Sequence, residues 1–173
     1  MTRRISLLIS WGCLLTITLT LIGALGLLFN IDWFASLAKE NLALPIIWST
    51  VSPWQWFTFW GVTMLYASIG LVGLHFLQRA FAKFAKGELF NFINSRNIRR
   101  FAIFLLAQSA AKPIYDALSS VLLSLNHPAG EKVLAITFGS NEIRAVALAM
   151  ILWVVSDLLI EGSKLQSENQ QFI

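Results

Sequence analysis

Lys112, Pro113 and Asp116 lie inside an otherwise apolar stretch, Phe101 to Leu125, where ionic side chains are rare enough to demand a reason. Lys112 and Asp116 are four residues apart and share one face of a helix, so an ammonium can meet a carboxylate there. Gln108, Tyr115, Ser119 and Ser120 extend this face into a polar stripe. Pro113 has no N–H to offer the carbonyl of Ser109, which frees an acceptor on the same helix and favours a bend. Three chemistries fit the pattern: an internal ion pair that fixes helix packing, a proton or ion path, and a surface for another subunit. The spacing alone leaves all three open.

Little else is equipped for chemistry. His75 and His127 are separated by an apolar stretch and are expected as surface or interfacial side chains on opposite sides of a membrane, which gives no shared zinc site. Cys13, the single cysteine, is buried in an apolar run and reads as a small packing residue, with no disulfide partner in the chain. Phosphate-binding loops, dinucleotide fingerprints, nucleophile elbows and zinc-protease helices are missing from the sequence. We therefore expect no enzyme, no cofactor and no metal.

The elements that must position the polar stripe are four apolar stretches: Ile5 to Phe29, Trp54 to Leu77, Phe101 to Leu125 and Ile143 to Ile160. The first two contain no Asp, Glu, Lys or Arg. A hydrocarbon core of about 30 Å needs about 20 helical residues, and each stretch is close to that length or longer. At about 1.5 Å per residue Lys112 falls about 16 Å along the third stretch, near the bilayer centre, where an ion costs about 2.5 to 3.5 kcal/mol. An apolar fraction of 57% and a mean hydropathy of +0.69 agree with lipid as the solvent.

The cations alternate with the stretches. Arg3, Arg4, Arg79, Lys83, Lys86, Arg96, Arg99, Arg100 and Lys164 fall on one side, against Lys39 and Lys132 on the other. The positive-inside rule then places both termini and the central loop in the cytoplasm. The formal net charge of +4 follows this topology rather than a nucleic-acid-binding patch. Met1 to Arg4 imitates the start of a secretory signal, but the uncharged run exceeds a signal core and no small-x-small cleavage site closes it, so an uncleaved span is expected.

Between the spans, Asp32 is expected to cap a short surface helix through Trp33, Phe34, Leu37 and Ala38. Pro45 and Pro53 break the chain, and Trp48, Trp54, Trp56 and Trp60 read as interfacial anchors. The second helix continues as an amphipathic basic extension to a stop at Gly87, and Asn91 or Asn94 caps its successor. Val133 to Phe138 reads as an isolated extended segment after the turn Pro128-Ala129-Gly130. Asp157, near the basic end of the fourth span, matches the depth of Arg99 or Arg100 and should pair with one of them.

Two motifs resemble a bacterial family catalogued as domain of unknown function 2975. Lys86-Gly87-Glu88-Leu89-Phe90, with Asn94 and Ile98-Arg99-Arg100, is similar to its cytoplasmic box ahead of a basic helix start; Gly162, Leu165 and Glu168 resemble its C-terminal tail. The resemblance implies four transmembrane helices, no established activity, and frequent neighbourhood with a small helix-turn-helix regulator. The expectation is an all-α integral membrane four-helix bundle, N-in and C-in, with short interfacial helices and a small extracytoplasmic loop, a single domain over 1–173. Its role would be a regulatory, sensor or partner-binding component of a bacterial inner membrane, contacting a cytoplasmic regulator or membrane partner, with possible homo-oligomers. Lys86, Gly87, Phe90, Arg99, Arg100, Gly162, Leu165 and Glu168 form the expected cytoplasmic contact surface, and Gln108, Lys112 and Asp116 the intramembrane polar site. The alternative is a small transporter or channel subunit using that stripe.

Overall fold

The structure, a computed structural model, describes residues 2–42, 44–87 and 92–171, with the side chains of Thr2 and of 165–171 outside the description. Its elements are helices α1 (Thr2–Phe29), α2 (Ile31–Asn41), α3 (Pro53–Ala85), α4 (Phe92–Leu123) and α5 (Ser140–Gln171), with a 3-10 turn at Trp48–Thr50. The chain is all-helical, and among the described residues there is no strand. Arg3–Phe29, Pro53–Ala85 and Ser140–Lys164 are long and apolar enough to cross a membrane, as in a multi-pass membrane protein. At 32 residues α4 has the length, but it carries the charged residues of the polar stripe.

Local chemistry sets the helix ends. The Ser52 amide donates to Gln55 Oε1 at 2.7 Å and Pro53 opens α3 without wasting a donor. Gly87, at φ +90°, closes α3, and its amide donates to the Phe84 carbonyl at 3.0 Å. The cap of α2 is Asn30, whose side chain accepts from the Trp33 amide at 3.2 Å, and not Asp32. The break after α1 is one residue long, so Asp32 already lies inside the new helix and there favours its positive end. Asn94 is likewise inside α4 and fully buried rather than capping it, and Asn91 lies outside the described residues.

Helices neighbouring in sequence pack on each other: α1 on α3, α3 on α4, α4 on α5. No comparable contact joins α1 to α5 among the described residues, so the four long helices form an open row with α1 and α5 as edges rather than a closed bundle. Ser6, Ser10, Cys13 and Ala24 are the buried residues of α1; their small size lets α3 approach closely. Gln78 Nε2 donates to Ser10 Oγ at 3.2 Å, and Trp60 Nε1 donates to the Ala24 carbonyl at 3.2 Å. Large apolar side chains point the other way, with Leu8 at 70%, Trp11 at 65% and Met150 at 61% exposure. Small and polar groups inside and aliphatic groups outside invert the arrangement of a water-soluble domain, as an apolar solvent selects.

At the end of the row remote from Arg3, α2 folds over α3 and α4 and closes a cluster of Phe34, Ala35, Ala38, Ile46, Trp56, Phe59 and Leu123. Trp56 is therefore core, stacked on Trp48 at 6.0 Å, whereas Trp54 is exposed as an anchor would be. Gln55, fully buried, ties this end together: its Nε2 donates to the Leu122 carbonyl at 2.6 Å and its Oε1 accepts from Asn126 Nδ2 at 2.8 Å.

Candidate functional site along helix α4

Helix α4 presents Lys112, Asp116, Ser120 and Ser124 at every fourth position, and the extended segment 131–139 runs back along them as a strap. Ser124 Oγ accepts from the Val133 amide at 3.0 Å, Ser120 Oγ accepts from the Ala135 amide at 2.9 Å, and Thr137 Oγ1 donates to Asp116 Oδ2. The register has a simple cause. Two extended residues advance about 6.6 Å and four helical residues about 6 Å, so alternate strap residues stay in step with successive helix turns. The intervening residues Leu134, Ile136 and Phe138 face outward at 66%, 65% and 57% exposure. Val133 to Phe138 is thus the isolated extended segment that its composition predicts, with helix side chains in place of a partner strand.

Lys112 Nζ donates to both carboxylate oxygens of Asp116, so the expected ion pair forms. The pair is largely shielded, at 28% exposure for the lysine side chain and 11% for the aspartate. With Thr137 as a third donor the carboxylate is well satisfied, which is the condition for keeping such a charge away from water. Tyr115 shares a hydrogen bond with Thr63 at 3.1 Å and stacks on Tyr66 at 4.6 Å, locking α4 to α3 beside the pair. Gln108 lies over Gly70, where a β-carbon would come within 2.7 Å of its Oε1.

Below the strap, α5 begins beside the middle of α4. Tyr66, Gln108, Ser109, Asn141 and Glu142 line a cleft of ≈ 180 Å³ there. Glu142 Oε2 accepts from the Gly139 amide at 2.8 Å and fixes the turn from strap to helix. At the basic end Arg99 pairs with Asp157 at 3.6 Å, as the matched depth predicts, and its guanidinium lies 4.7 Å from the Trp153 ring. Phe92, Arg96, Arg100, Ile160 and Lys164 line a second cleft of ≈ 380 Å³ beside it.

The expected cytoplasmic surface is only partly assembled. Lys86 and Gly87 end α3, with the Arg3 guanidinium against Gly87. Arg99 is engaged by Asp157, and Arg100 lies 5.0 Å from the Phe76 ring. Gly162 falls in α5; Phe90 and the side chains of Leu165 and Glu168 lie outside the described residues. His75 is exposed, but His127 is buried at 5% exposure and not a surface side chain. Its Nε2 accepts from the Ile47 amide at 3.0 Å, which leaves Nδ1–H to donate to the Glu131 carbonyl at 2.9 Å. Thr137, Ser124, Glu142 and Gln55 complete the polar framework and were not among the expected site residues; the four-residue serine spacing ahead of an alternating segment is the signal that points to the strap.

The fold and this framework define a helical, multi-pass class of membrane protein with a polar seam along one helix. No protein family, no curated protein and no solved structure matches the chain.

Proposed function

We propose that the chain is a four-span, N-in and C-in protein of a bacterial inner membrane, acting as a non-enzymatic regulatory or partner-binding component through its cytoplasmic end. The observation that carries this reading is how its buried charge is used. Lys112 and Asp116 are closed on each other and on Thr137, so they hold the strap instead of standing free for transfer. That satisfaction is what allows α4 to serve as a span despite its ions. Strap backbone at membrane depth is tolerated because α4 side chains supply partners for it. The resemblance carried by Lys86 to Phe90 and Gly162 to Glu168 points the same way, toward a cytoplasmic regulator.

The test is recovery of the tagged full-length chain from native membranes in mild detergent, with mass spectrometry of bound chains. A stoichiometric partner should remain with the wild type and be lost when 86–90 and 162–168 are both replaced by Gly/Ser sequence. Retention of the partner after both replacements refutes the reading.

A second reading, a small transporter or channel subunit, draws on the cleft of Tyr66, Gln108 and Glu142 beside the ion pair. Under it, K112Q/D116N abolishes flux in liposomes; under the first reading reconstituted protein carries no flux to lose.

A further inference from the structure

The cleft at the basic end has two kinds of wall. Arg96 and Arg100 are exposed on α4, and among the described residues neither has a carboxylate partner. Lys164 lines the α5 side. The nearby acid, Asp157, is taken by Arg99. Directly beside these cations are Phe92 and Ile103, exposed at 52% and 43%, and Ile160. A cationic floor continuous with an apolar wall matches a ligand that is itself divided in this way.

We infer that this cleft binds the phosphate headgroup of an anionic membrane phospholipid, with Arg96 and Arg100 on the phosphodiester and Phe92, Ile103 and Ile160 along the first acyl carbons. Guanidinium groups suit this role because they present paired donors to phosphate oxygens and lie flat on aromatic rings. Arg96 already sits 5.7 Å from the Phe92 ring and Arg100 5.0 Å from the Phe76 ring, so aromatic contacts hold both side chains without neutralising them. A soluble acidic peptide would leave Phe92 and Ile103 exposed, whereas a lipid covers them. The inference rests on the proposed topology, which puts this end at the inner leaflet where anionic headgroups and basic clefts meet.

Delipidated full-length protein in neutral detergent is titrated with phosphatidylglycerol, with phosphatidylcholine and with inorganic phosphate, and adducts are counted by native mass spectrometry. One saturable phosphatidylglycerol adduct is expected, with phosphatidylcholine weaker and phosphate unable to displace it. R96Q/R100Q should weaken binding about 25-fold, at about fivefold per charge removed near the surface. R79Q/K86Q removes equal charge from the same end of α3 and should change it less than twofold. Equal losses in both variants would mean diffuse attraction and overturn the site. Equal binding of the two lipids, or displacement by phosphate, overturns the lipid assignment. Should the double variant lose its solution behaviour, R96Q alone, at an exposed position, must still show the fivefold loss. Cysteine labelling of K86C from the cytoplasmic side alone keeps the topology separate: inaccessibility there overturns the membrane placement and not merely the ligand.

Discussion

Removing one member of the Lys112–Asp116 pair should cost more than removing both. In D116L the lysine loses both carboxylate contacts while its side chain stays only 28% exposed. Breaking a fully buried pair costs about 3 to 5 kcal/mol, and the partial exposure of an ammonium on a long stem brings this to about 3 kcal/mol. K112M leaves a carboxylate at 11% exposure with the Thr137 hydroxyl as donor. Here the cost is about 2 kcal/mol, since one strong donor remains. In K112M/D116L no charge is left unpaired; the Thr137 hydroxyl loses its acceptor, for about 1 kcal/mol. The double variant is therefore expected at about 1 kcal/mol, against roughly 5 kcal/mol for independent effects. Equilibrium unfolding in mixed micelles, followed by far-ultraviolet circular dichroism, measures all four forms. An additive double variant would refute the claim that the two charges answer each other, and would point to a separate partner for each.

Three further outcomes follow from particular contacts. Ala at Gly73 would bring a β-carbon within 2.9 Å of the Phe104 β-carbon, which cannot swing away, so G73A should lose about 1 to 3 kcal/mol. At Gly70 the obstacle is the flexible amide of Gln108, so G70A should be milder in the same unfolding assay. H127A strands the Ile47 amide and should cost about 1 to 3 kcal/mol, with faster hydrogen exchange in both 44–51 and 126–131. S120A should abolish exchange protection at the Ala135 amide while leaving Val133, held by Ser124, protected.

The helices were legible because lipid-compatible runs are long and their stops are chemical: Pro53, Gly87 and the Pro128-Ala129-Gly130 turn. Lys112 with Asp116 and Arg99 with Asp157 were legible for a related reason, since a charge in an apolar run must find a partner at its own depth. Packing faces were not. Helices α1 and α5 are apolar nearly all round, so periodicity does not separate the face toward a neighbour from the face toward lipid; in α1 the buried residues are small, Ser6, Ser10 and Cys13. That hid the open row. His127 and Trp56 look like interfacial side chains by type, and only the approach of distant chain, at Ile47 and Phe34, buries them. Thr137 is one threonine in a loop until the strap lies along α4.

The retention of costly ions in α4 has a physical reason in the uniformity of α5. A helix whose surface is mostly Leu, Ile, Val and Ala can slide along its neighbour with little change in contact, because one turn of such residues resembles the next. Polar contacts remove that freedom. Thr137 meets Asp116, Asn141 lies beside Gln108 and Ser109, Asp157 meets Arg99, and Lys164 reaches the level of Phe92, all in one antiparallel register. A slip of one turn, about 5.4 Å, would break the Thr137 bond and the Arg99–Asp157 pair together and strand the strap amides now held by Ser120 and Ser124. Register specification is the best-attested use of a buried polar group. Here it fixes where α5 ends against the basic start of α4, and hence the shape of the cleft that Arg96 and Arg100 line.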